Sequence, residues 1–147
     1  MTPFRKGIFS QFSVLPEMTL SQWAAEHFYM SAESSAAPGK WESYPYQPGI
    51  MDAISDPNIL KVSLMKSSRV GYTKILNATV GYYAHQKPCP IMLVQPRDSD
   101  ADDYGKEEIE PMIRDCPVLH DIFPERKQKS SSSTMGMKMF PGGLLQL

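Results

Sequence analysis

The apolar positions fall into short blocks separated by polar and Pro/Gly punctuation, and each block has its own period. Residues 19–30 read as a helix in which Thr19 caps the start and Gln22 completes a Thr-x-x-Gln box, with Trp23 and Phe28 as docking residues. Residues 31–39 are small and polar, and Pro38-Gly39 marks a turn. Ile50, Met51 and Ile54 share one face of a short helix over 46–54, which Asp56-Pro57-Asn58 ends. Residues 59–65, which end in the short apolar run from Val62 to Met65, predict a buried strand. Ile75, Ala78, Thr79, Tyr82 and Tyr83 then recur at three- and four-residue steps, which predicts a helix over 72–85 with one buried face.

Pro88-Cys89-Pro90 breaks the chain, and residues 91–94 are continuously apolar, as a strand of a parallel sheet requires. Residues 98–114 predict a helix with Ile109, Met112 and Ile113 on its apolar face. Asp98, Asp100, Asp102 and Asp103 gather at its front, where the helix dipole favours acids; that explains them better than catalysis. Residues 125–134 are charged, then serine-rich, and read as a mobile loop. Residues 134–140 and 144–147 pair as strands across Pro141-Gly142-Gly143. Residues 1–17 read as a loose arm. The order strand, loop, helix, strand, helix predicts an α/β fold, a parallel sheet flanked by helices with right-handed crossovers. Ligands in such sheets bind at the carboxyl ends of the strands, which is where the loop after residue 65 falls.

That loop carries the candidate chemistry. Lys66, Ser67, Ser68, Arg69, Val70, Gly71, Tyr72 and Thr73 have the layout of a phosphate-binding loop between strand and helix, but not its usual spelling. Gly71 and Thr73 are in register with Gly-x-x-x-x-Gly-Lys-[Ser/Thr]; Lys66 replaces the first glycine and Tyr72 the lysine. Such a site needs backbone N–H groups in a tight turn, a helix start behind them and a cation. Gly71 supplies the positive-φ position, and the Thr73 hydroxyl is placed for Mg²⁺. Lys66, Arg69 and Lys74 are the candidate cations, Lys74 being the worst placed because it points along the helix. The same segment also fits an ordinary strand–turn–helix connection with solvated cations. Upstream, Tyr46 and Gln47 are candidates for adenine: a glutamine amide both donates and accepts, and a ring can stack on the base. Trp41 reads as packing.

Composition narrows the field. The chain has 147 residues, 41% hydrophobic and 21% charged, which fits one globular domain with a core. A net charge of −1 gives no basic field to draw DNA, which argues against a general DNA-coating protein. Arg126, Lys127 and Lys129 could touch DNA phosphates but read more simply as a solvated charge run. Cys89 and Cys116 form no disulfide framework and fit a reducing cytoplasm. No apolar stretch reaches the roughly 18 residues of a membrane span, and no apolar run follows Arg5-Lys6 to make a signal peptide. His27, His85 and His120 lack metal-ligand spacing.

Several segments taken together resemble the ATPase region of the large terminase subunit of lambda-like tailed phages. They are Trp23-Ala24 with Phe28-Tyr29-Met30, Gly39-Lys40-Trp41-Glu42 with Pro45-Tyr46-Gln47, and the loop from Lys66 to Lys74. Residues 91–96, Ile109-Glu110-Pro111-Met112, and Phe140-Pro141-Gly142-Gly143 follow in order. The family likewise has a deviant loop with a basic residue at its front. The resemblance implies a P-loop NTPase fold, ATP with Mg as ligands, and a motor that drives double-stranded DNA with the small terminase subunit and a portal on a prohead, in the host bacterial cytoplasm. It also implies a chain that runs on past Leu147 into an acidic metal-binding strand with the catalytic glutamate, and then a nuclease domain. This chain therefore reads as the front of such a protein. Residues 1–58 hold the arm, helices and adenine segment, residues 59–147 the front of the ATPase core. No catalytic residue falls within it, and no turnover is expected from it alone. Two alternatives remain: a non-catalytic module docking the small subunit through Trp23 and Phe28, and another P-loop NTPase of helicase-like type.

Overall fold

The computed structural model describes residues 16–123 and 136–147. Helix α1 (Leu20–His27) begins on the expected box: Thr19 Oγ1 accepts the Gln22 N–H at 3.4 Å, and the Thr19 N–H donates to Gln22 Oε1 at 3.0 Å. It stops at His27, short of Met30, because Tyr29–Met30 (β1) leaves to pair antiparallel with Gly39–Lys40 (β2). Helix α2 (Gln47–Ser55) carries Pro48 in its first turn, where a missing N–H costs nothing.

The predicted strand over 59–65 is not formed. Among the described residues no strand lies beside it, and all its side chains but half-buried Leu64 are exposed, Leu60 at 98% and Met65 at 101%. A segment of β-type composition becomes a strand only when a neighbour takes its N–H and C=O groups, and none does so here among the described residues. The strand–helix–strand unit expected around the loop is accordingly open on its first side.

Helix α3 (Tyr72–His85) is the spine. Ile75, Ala78 and Tyr82 are buried, with Thr79 and Tyr83 half-buried beside them, as the periodicity predicts. Helix α1 lies against it through Trp23, so close at Gly81 that a Cβ there would stand 2.5 Å from Trp23 Cη2. The Tyr82 hydroxyl donates to Met18 O at 2.9 Å and the Tyr83 hydroxyl to Ile54 O at 3.0 Å, which ties α3 to the segment leading into α1 and to the end of α2. Trp23 and Phe28 are wholly buried in this core. This corrects the docking-module alternative: these two rings dock onto their own chain and offer no surface to a partner.

Strand β3 (Ile91–Met92) follows, and then Asp98–Tyr104 (α4), a π-helical turn Gly105–Ile109, Glu110–Asp115 (α5) and Pro117–His120 (α6). The span of the predicted 98–114 helix is right, but its middle is widened. The widening comes immediately before Pro111, which has no N–H to give and whose ring crowds the carbonyl one turn back. Strands β4 (Met137–Phe140) and β5 (Gly143–Gln146) form the expected hairpin. Pro141 and Gly142, with Gly142 at φ +87°, suit a type II turn. The sheet has the order β3-β5-β4, with β3 parallel to β5 and β4 antiparallel at the edge, so it is a small mixed sheet where a parallel one was predicted. One face is packed by Phe140 and Leu145, while Met92, Met137 and Met139 are exposed.

Candidate phosphate-binding site

The loop 66–71 enters α3 through a left-handed Gly71 at φ +75°, and Arg69 is also left-handed at φ +61°. A non-glycine residue in that region is uncommon and marks a tightly specified turn. Gly71 is the N-cap of α3 and has no side chain to satisfy the first-turn N–H groups, so those of Tyr72 and Thr73 have no intrahelical partner. Lys66, Ser67, Ser68, Arg69 and Thr73 are exposed; Val70, Gly71 and Tyr72 are half-buried. Lys66 Nζ lies 3.4 Å from Ser67 O and 5.6 Å from the centroid of the Tyr72 ring, so its stem already curls back over the loop.

The fold brings the upstream pair to this loop. Tyr46 donates its hydroxyl to Val70 O at 3.1 Å, and Gln47 Nε2 donates to the same oxygen at 3.3 Å. Gln47 is fully buried, and its Oε1 accepts the Tyr44 N–H at 2.8 Å. Its amide is thus a strut between the start of α2 and the loop. The Tyr46 ring is half exposed and runs parallel to Tyr44, 2° between planes and 5.9 Å between centroids, which presents a flat aromatic surface at the mouth of the loop. Trp41 is buried against Phe28 and donates to Ser43 Oγ at 2.7 Å, as its packing assignment requires.

Lys74 does not serve the loop. Its ammonium donates to Glu108 Oε2 at 2.6 Å and to Ser34 Oγ at 2.9 Å. Asn77, one turn further on, donates to the same Glu108 oxygen at 2.7 Å and accepts from the Tyr104 hydroxyl at 2.5 Å. Sequence reasoning missed Glu108, Asn77 and Tyr104. The signal available was Lys74 and Asn77 at i, i+3 on one face of a helix otherwise apolar on its buried side. At the front of α4, Arg97 donates to both oxygens of Asp100, so that carboxylate is engaged in an ion pair; Asp98 also lies in the first turn, where the helix dipole favours acids. Arg126, Lys127 and Lys129 lie outside the described residues, and no helix among the described residues is long and apolar enough to cross a membrane.

A tight turn with two left-handed residues opens the central helix of this mixed α/β protein, with cations at its lip and an aromatic surface beside it. Residues 35–147 match the family described as "Phage terminase large subunit gpA, ATPase domain", and the chain belongs to that family. It is similar to the terminase large subunit of Enterobacteria phage P21, 40% identical over 138 residues, which are 94% of this chain and 21% of that protein. It is also similar to the terminase large subunit of Escherichia phage lambda, 36% identical over 139 residues, 95% of this chain and 22% of that one. The chain spans about a fifth of the length of these curated relatives. No solved structure matches it. The resemblance drawn from the sequence motifs is therefore borne out.

Proposed function

We propose that this chain supplies the ATP-binding front of a DNA-packaging motor and that its loop 66–73 holds the nucleotide phosphates. The reading rests on one observation above the others: Gly71 turns the chain into α3 with its first N–H groups uncapped, while Tyr46 and Gln47 fix the preceding carbonyl of Val70. In this reading the fold is of the P-loop NTPase kind. Lys66 and Arg69 hold the β- and γ-phosphate oxygens, Arg69 by its planar fork. The backbone from Ser67 to Tyr72 cradles the phosphate chain, and Thr73 offers its exposed hydroxyl to Mg²⁺, which would neutralise charge on the phosphates. The base lies against Tyr46. Because both ends of the Gln47 amide are bonded to backbone, Gln47 acts on adenine by holding Tyr44 and Val70 in place, the latter being also the acceptor of the Tyr46 hydroxyl.

In this reading the wider assembly has double-stranded DNA as cargo, the small terminase subunit and the portal and prohead as partners, and the host bacterial cytoplasm as the setting; membership of the terminase family supports it. Thermal unfolding with and without Mg-ATP, beside Lys66→Ala, tests the site. A ligand that binds only the folded chain raises its melting temperature by mass action. A rise in the parent and none in Lys66→Ala supports the reading; an equal rise in both removes Lys66 from the site, and no rise in the parent removes the site.

A further inference from the structure

We propose that Glu108 is a positioning residue of the phosphate site, acting through Lys74 and Asn77 on the first two turns of α3. The inference rests on the reading that loop 66–73 binds nucleotide phosphate.

The start of α3 is held by two grips. One is on the loop side, where Tyr46 and Gln47 bond to Val70 O. The other lies on the opposite flank, where a single oxygen, Glu108 Oε2, takes Lys74 Nζ at 2.6 Å and Asn77 Nδ2 at 2.7 Å. Lys74 and Asn77 stand on successive turns, so one carboxylate fixes both the position of the helix start and its rotation about its own axis. Lys74 also reaches Ser34 Oγ, which ties in the strap between β1 and β2.

The group is sheltered. The Lys74 and Glu108 side chains are 14% and 18% exposed, and Asn77 is buried. Among the described residues no buried side-chain nitrogen or oxygen lacks a partner, so the network is satisfied and stiff. Tyr104 keeps its proton far above the ordinary phenol range, because it is buried and faces the Glu108 carboxylate, and it remains a donor to Asn77 Oδ1. Glu108 sits in the π-helical turn, where the Glu110 N–H reaches back to Gly105 O. Such turns are infrequent and recur at functional sites. The arrangement also sends the ammonium nearest the helix start to Glu108, which leaves the phosphates to Lys66 and Arg69.

The test is Mg-ATP titration calorimetry on the full chain, with an unfolding transition for every variant. Glu108→Gln keeps size and an acceptor for Asn77 while dropping the charge, so the parental transition is retained and Kd rises about tenfold. In a Lys74→Met background the same change adds little more than about twofold, because Glu108 acts through Lys74. The reversed pair Lys74→Glu/Glu108→Lys rebuilds the ion pair, with Asn77 turning its amide over, and returns Kd to within about threefold of the parent. An unchanged Kd in Glu108→Gln overturns the proposal. So does loss of its cooperative transition, which would make the role one of folding. A folded reversed pair that binds as weakly as Lys74→Glu alone overturns it as well, because Lys74 would then touch the nucleotide itself. A parent that binds no Mg-ATP removes the phosphate site and this inference with it. A parent that binds beside an unaffected Glu108→Gln removes this inference alone.

Discussion

Gln47 and Gly71 fill adjoining space with none to spare: a Cβ on Gly71 would stand 2.9 Å from Gln47 Nε2. The glycine is thus required twice, once for its φ of +75° and once for the room its missing side chain leaves to the strut.

Gly71→Ala is expected to lower stability by about 1–3 kcal/mol from backbone strain and to abolish the Mg-ATP shift in melting temperature. Denaturant unfolding and the ATP-dependent thermal shift measure the two effects separately. A parental ATP shift in this variant would place the phosphates elsewhere.

Gly81→Ala overpacks the contact of α1 with α3, since the new methyl would lie 2.5 Å from Trp23 Cη2. The expected loss is about 1–3 kcal/mol by urea unfolding. Gly49→Ala is the matched control. It lies within α2, nothing stands within 4 Å of its Cβ position, and it should gain about 0.5–1 kcal/mol from helix propensity. A loss of equal size at both positions would contradict the packing argument.

Trp23 Nε1 donates to His85 Nδ1 at 3.0 Å, so His85 must be neutral at that nitrogen. Burial, and then the neighbouring His27, hold its pKa below the ordinary histidine value of 6.5. Its unfolded form therefore binds protons at a pH where the folded form does not. The stability is fully present above about pH 6.5 and is lost as pH falls through 6.5 toward the folded pKa. Melting temperature should drop between pH 7.5 and 5.5, and His85→Gln, which does not titrate, should flatten part of that drop. A profile identical to the parent's would remove His85 as a source.

Cys116 is buried, its sulfur accepts the Tyr29 N–H at 3.2 Å, and burial pushes its thiol up to about 11. Cys89 is half exposed. Iodoacetamide at neutral pH should modify Cys89 in the folded chain and reach Cys116 only on unfolding, because the thiolate is the reacting form. Peptide mass analysis reads both sites, and early modification of Cys116 would contradict its burial.

The elements that local chemistry specifies were legible in the sequence. The Thr19/Gln22 box, the periodic face of α3, the Pro141-Gly142 turn and the left-handed Gly71 all depend on residues a few places apart. What was not legible depends on distant partners. The run 59–65 has the composition of a strand, yet pairing is a property of two segments. Glu108 lies 34 positions from Lys74, and nothing in either neighbourhood names the other. The π-helical turn has only Gly105 and Pro111 as hints, and both also occur in plain helices. Tyr46 and Gln47 read in the sequence as candidates for adenine; that Gln47 spends its amide on the backbone is visible only with Val70 placed beside it.

The exposed run upstream of the loop also sets a clock. From residue 60 to 65 no backbone partner stands among the described residues, so deuterium should enter those amides at nearly free-peptide rates. Immediately beyond the loop, α3 is hydrogen-bonded and buried and should exchange far more slowly. The loop is thus the boundary between a fast and a slow half of one continuous segment. Protection that spreads upstream across it would report strand pairing by a newly arrived neighbour, in time and residue by residue.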